Sequence, residues 1–71
     1  MERSHLTRRE KDIYDFLLRY RADNSCSPSM REIAEGVGLY SVSTVHKHIH
    51  SMAEKGWIRI PEGRSRSIIP V

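Results

Sequence analysis

Three histidines fall within five residues in the run H-K-H-I-H, His46 to His50, and the first chemistry they suggest is metal binding. On a helix His46 and His50 share a face at i, i+4, whereas His48 points elsewhere. Two ligands are too few for a structural zinc site, and no nearby cysteine completes one. The zinc-protease pattern H-E-x-x-H also fails: Lys47 stands in place of the glutamate and the second histidine is misplaced. Neither a metal nor another cofactor is therefore expected. The same stretch supports a second chemistry. Ser41, Ser43, Thr44, His46, Lys47 and His50 carry donors that bond to base edges or phosphates, and Thr44 can also touch a thymine methyl. Protonated histidines attract phosphate, so binding that uses them weakens as pH rises.

A donor-rich face needs a helix to present it and a turn to aim it. Ser41 can cap such a helix. At 100° per residue Val42, Val45, Ile49, Met52 and Ala53 gather on one side, with Ser43, His46, Lys47, His50 and Glu54 opposite. Upstream, Ser29-x-x-Glu32 fits a capping box, and a short helix is predicted from Ser29 to about Glu35. Met30, Ile33, Ala34 and Val37 supply its apolar side. Gly36-Val37-Gly38-Leu39 then turns the chain, its glycines tolerating backbone angles that other residues resist. Two helices joined by a tight glycine-containing turn form a helix-turn-helix, whose second helix can enter a DNA major groove. The start of the first of these helices, with Ser29 and Arg31, is a candidate seat for a phosphate.

The flanking segments complete the frame. Thr7-Arg8-Arg9-Glu10 fits another capping box, opening a helix expected to end near Ala22. Ile13, Phe16, Leu17 and Tyr20 make its buried face, with Tyr14 and Leu18 widening it. The loop 23–28 leads to Pro28. Lys55-Gly56 closes the third helix, with Gly56 as left-handed cap. Trp57-Ile58-Arg59-Ile60 alternates like a strand, Pro61-Glu62-Gly63 turns, and Ser67-Ile68-Ile69 returns, with Pro70 at its end or edge. Arg64 and Arg66 sit on or beside the tip of this hairpin, the wing, where they can reach phosphates. Trp57 reads as a core residue rather than a base-stacking platform. The expected architecture is α+β: a winged helix-turn-helix of three helices followed by a two-stranded β-hairpin wing, one domain over residues 1–71.

A chain of 71 residues has room for only a modest core. Its charge is unevenly placed. Residues 1–40 carry seven Lys/Arg and seven Asp/Glu, whereas residues 41–71 carry five and two, so the net +3 lies wholly in the second part. A basic second half favours an anionic partner. Cys26 is the only cysteine, which rules out an intramolecular disulfide and suits a reducing cytoplasm. No stretch approaches the roughly 20 apolar residues of a membrane span, and residues 1–7 lack the apolar run of a signal peptide. No paired-carboxylate, nucleophile–base or phosphate-loop arrangement supports an enzyme. Two rivals to DNA binding fit the same residues: a winged helix used for protein–protein contact, its third-helix face merely solvated, and a metal-sensing regulator using His46 and His50.

The motifs resemble those of a known family, the N-terminal DNA-binding domain of the LexA repressors, which control the bacterial DNA-damage (SOS) response. The resemblance spans nearly the whole chain: L-T-R-R-E at 6–10, S-P-S-M-R-E-I-A-E-G-V-G-L at 27–39, S-V-S-T-V-H-K-H-I at 41–49 and K-G-W-I-R-I at 55–60. The third looks most like the Gram-positive branch. The resemblance implies that Ser41, Ser43, Thr44, His46 and Lys47 face an operator and that Arg64 and Arg66 lie in the wing. Lys47 adds a charge where relatives often carry something smaller. It further implies a repressor that binds inverted-repeat, double-stranded DNA as a dimer. LexA proteins continue into a self-cleaving serine/lysine peptidase domain that also holds the dimer together. No trace of that domain is found in this sequence, so a non-catalytic chain is expected, monomeric alone and pairing on DNA.

Overall fold

A computed structural model of the chain describes residues 5–60 and 68–71. Helix α1 runs Arg8–Asn24, α2 Met30–Val37 and α3 Val42–Glu54, followed by two short strands, β1 Ile58–Arg59 and β2 Ile69–Pro70. The strands pair antiparallel, Ile58 opposite Pro70 and Arg59 opposite Ile69. Each has two residues, shorter than the alternation in sequence suggested. Residues 61–67, where the sequence predicts the turn and where Arg64 and Arg66 fall, lie outside the described residues.

Both capping boxes form. The Thr7 hydroxyl accepts the Glu10 N–H at 3.3 Å while the Glu10 carboxylate accepts the Thr7 N–H at 2.8 Å. Ser29 and Glu32 repeat the exchange at the head of α2, at 3.1 and 2.8 Å. Each pair satisfies two backbone donors that a helix start leaves without partners. α1 runs two residues past its expected end at Ala22. It stops at Ser25, which adopts a left-handed conformation (φ 59°) and donates its N–H to the Arg21 carbonyl. The Asn24 amide donates to the Tyr20 carbonyl and secures the added turn.

α2 also outlasts expectation, ending at Val37 rather than near Glu35, with Gly38 as its left-handed cap (φ 77°). Gly38 does the work assigned to the turn glycines. Gly36 has another reason to be there: it is helical, and a Cβ at that position would sit 2.3 Å from a carbon of the Phe16 ring. The close approach of α1 to the α2 backbone therefore requires the missing side chain.

The core draws on every element: Ile13 and Leu17 from α1, Ile33 and Ala34 from α2, Val45, Ile49 and Met52 from α3, and Ile58 and Ile68 from the hairpin. Burying each large aliphatic side chain contributes about 1.5–3 kcal/mol. Leu18 departs from expectation, remaining 45% exposed, so the buried face of α1 is narrower than its apolar residues suggest. Trp57 packs against the core, edge-on to Tyr14 at 5.6 Å between ring centroids, consistent with its core assignment. The Tyr14 hydroxyl donates to the Val71 carbonyl, and the Val71 N–H to the Trp57 carbonyl, tying Val71 to α1 and to the residue just before β1. Among the described residues no helix is long and apolar enough to cross a membrane.

Candidate nucleic-acid interface

α3 is anchored on one side by Val45, Ile49 and Met52, all fully buried. Their spacing of four and three residues is that of a single helical face. The opposite side holds Ser43, His46, Lys47 and His50, all exposed, with Thr44 and His48 half-buried at its margins. The structure thus brings the expected donors of α3 onto one solvent-facing surface. The His46 and His50 rings stack with centroids 6.3 Å apart and planes inclined by 22°. No acidic residue occurs from position 36 to 53, so Lys47 is not offset by a carboxylate on its own helix until Glu54.

Ser41 sits at the head of α3 with an extended backbone (φ −127°, ψ 127°), and its side chain makes no capping bond. This differs from Thr7 and Ser29, and it leaves the Ser41 hydroxyl outside the helix's own hydrogen bonding. Val42 corrects the helical-wheel placement. It is 39% exposed rather than part of the packed side, because the first residue of α3 projects beyond the core that receives Val45. Tyr40, which no motif singled out, is 107% exposed in the turn just before Ser41. Its signal in the sequence was weak: a lone aromatic outside any periodic segment.

The orientation of this surface is set by contacts at both ends of the helix-turn-helix. Arg9 of α1 donates to the Val37 carbonyl at 3.1 Å, placing a cation on the negative end of α2. The Tyr20 hydroxyl donates to Glu32 at 2.9 Å. At the far end of α3, Lys55 reaches across to Glu10 at 2.6 Å and also donates to the His5 carbonyl. Glu10 is 2% exposed. Burial pushes its pKa up, but bonds from Lys55, the Thr7 N–H and Ser51, with the Lys55 charge, outweigh that and hold it down at about 2. This ion pair joins residues 45 positions apart and fixes the end of α3 against the start of α1.

The other expected contacts are more dispersed. Arg31 is exposed near the start of α2, while Ser29 is half-buried with its hydroxyl committed to the Glu32 N–H. Arg64 and Arg66 lie outside the described residues. No group of three or more metal-binding side chains occurs among the described residues. His46 and His50 supply two nitrogens where a structural zinc site takes four ligands. Cys26 is a free, exposed loop thiol. An open groove of about 470 Å³ beside the hairpin is lined by Ala53, Ile58, Arg59, Ile60 and Ile69, side chains that include no nucleophile or general base.

Comparison with known proteins gives the chain a family. The family model described as the LexA DNA-binding domain matches residues 3–67. A LexA repressor of Koribacter versatilis is 49% identical over 63 residues, 89% of this chain and 30% of the relative. A LexA repressor of Staphylococcus epidermidis is 44% identical over 63 residues, 89% of this chain and 31% of its own length. One from Carboxydothermus hydrogenoformans is 38% identical over 68 residues, covering 96% and 33%. The chain spans about a third of the length of these relatives. On the matched span and the identities to repressors of that name, this chain belongs to the LexA DNA-binding domain family.

Proposed function

We propose that this chain binds double-stranded DNA sequence-specifically, as the operator-binding domain of a LexA-like transcriptional repressor acting in the bacterial cytoplasm in the DNA-damage response. The observation that carries the reading is the exposed donor face of α3 formed by Ser43, His46, Lys47 and His50, with the end of that helix tied to α1 by the ion pair between buried Glu10 and partly exposed Lys55. In this reading α3 enters the major groove, where Ser43, Thr44, His46 and Lys47 meet base edges and His50 lies further along the same face. Ser41, the start of α2 with Ser29 and Arg31, and the wing with Arg64 and Arg66 position the domain on phosphates. Two copies occupy the halves of an inverted repeat, and a single copy alone is a monomer with weak single-site affinity. Residues 1–71 act as one domain without catalysis of their own.

Amide chemical-shift mapping during titration with an operator-like duplex tests the reading. The expected result is a cluster of shifted amides over residues 40–47 and at Arg31, with α1 core positions such as Ile13 and Leu17 little changed. Undisturbed α3 amides at saturating duplex would refute it and favour the protein-contact reading.

A further inference from the structure

The polar face of α3 explains hydrogen-bond readout, but two apolar side chains beside it have no part in that scheme. Tyr40 is 107% exposed and Val42 39% exposed, while Val45 and Ile49 further along α3 are fully buried. Ser41, between the two exposed residues, is extended, φ −127° and ψ 127°. Tyr40 and Val42 therefore flank the extended Ser41 as two exposed apolar side chains at the head of α3. Val42 is also four residues before His46, so it borders the donor face on the helix surface. Two exposed apolar side chains thus stand at the head of α3, next in sequence to the donors Ser43, His46 and Lys47.

We propose that Tyr40 and Val42 form an apolar contact that reads the 5-methyl group of a thymine in the major groove. The inference rests on the DNA-binding reading and adds a specificity-determining element to it. The major groove presents one apolar feature among its donors and acceptors, and that is the thymine methyl. The other α3 methyl available for such a contact belongs to Thr44, which is half-buried. The tyrosine ring brings a large desolvatable area with few rotatable bonds. The ring makes the contact and the hydroxyl is not needed.

The test uses the 71-residue chain and a duplex selected from a random library for tight binding. Each thymine is replaced in turn by deoxyuridine, which keeps the hydrogen-bonding edge and removes only the methyl. Binding is measured by fluorescence anisotropy for the wild type, Tyr40→Phe and the double variant Tyr40→Ala/Val42→Ala. The expected result is one thymine position per half-site whose replacement weakens wild-type binding about fourfold, the factor that one buried methyl-sized group is worth. Tyr40→Phe keeps that sensitivity and the double variant loses it. Sensitivity that survives in the double variant, disappears in Tyr40→Phe, or is absent from the wild type overturns the proposal. A wild type that does not distinguish the selected duplex from a scrambled one instead defeats the DNA-reading assignment itself, and the two failures are thereby told apart. Because the readout is a ratio between duplexes, partial unfolding of a variant does not imitate either result.

Discussion

Replacing Glu10 with Gln isolates the charge of the pair that holds α3 against α1. Glutamine still accepts the Thr7 N–H, so the capping box is kept, while the bond from the Lys55 ammonium loses its anionic partner and becomes a charge–dipole bond. In the wild type the carboxyl is held from its ordinary 4.5 down to about 2. A difference of that size is worth at most ~3 kcal/mol of folding free energy at neutral pH. The domain itself is stable by roughly 4–10 kcal/mol if its 71 residues contribute as usual. The sign follows from the direction of the shift. A carboxyl with a depressed folded-state pKa adds stability that is complete above about 4.5 and is lost as the pH falls towards about 2. The assay is urea unfolding followed by circular dichroism, at several pH values from 7 down to 2, on wild type and Glu10→Gln. The expected gap is about 2–3 kcal/mol at pH 7, narrowing steadily through the acid range as wild type loses its ionised carboxylate. Contributions from other carboxylates cancel in the difference. A gap that is absent at pH 7, or that stays constant down to pH 2, refutes the reasoning. Lys55→Met gives a second check. It leaves the carboxylate buried without its cation and costs more at pH 7 than Glu10→Gln, about 3–5 kcal/mol.

Three further outcomes are expected. Gly36→Ala destabilises the fold by about 1–3 kcal/mol because the new methyl meets the Phe16 ring; a thermal melt checks this, and Phe16→Leu in the same chain makes the glycine substitution less costly. Thr44→Ala or His46→Ala relaxes discrimination at one base position by ~1–3 kcal/mol, measured as the ratio of cognate to single-mismatch affinities; equal weakening on cognate and scrambled DNA removes that side chain from base readout. Arg31→Ala weakens all sequences alike and reduces the salt slope by about one unit; an unchanged slope takes Arg31 off the phosphate-contact list.

Local signals in this sequence were reliable where local physics decides. The two S/T-x-x-E boxes announced the starts of α1 and α2 because the reciprocal bonds lie within four residues. Val45, Ile49 and Met52 announced the buried side of α3, and with it the opposite face that supplies the site. What could not be read was set by packing between elements. Gly36 looked like a turn residue, and only the proximity of Phe16 explains it. The sequence puts the end of α1 too early because the left-handed residue that closes it is Ser25, a type that carries no such signal. Helical-wheel angles put Val42 inside, since they take no account of where the core ends. The Glu10–Lys55 pair spans most of the chain, and Tyr40 lies in a turn, beyond the reach of any periodicity.

The central claim is that the α3 face reads base sequence, and fluorescence-anisotropy titration addresses it most directly. A labelled palindromic operator of the SOS type and a scrambled duplex of equal length are each titrated at two salt concentrations. The account predicts tighter binding to the palindrome, with the preference retained at the higher salt while both affinities fall. Equal, salt-sensitive binding to both duplexes, persisting when the palindrome is replaced by sequences selected from a random library, would contradict it and leave only a generic basic surface.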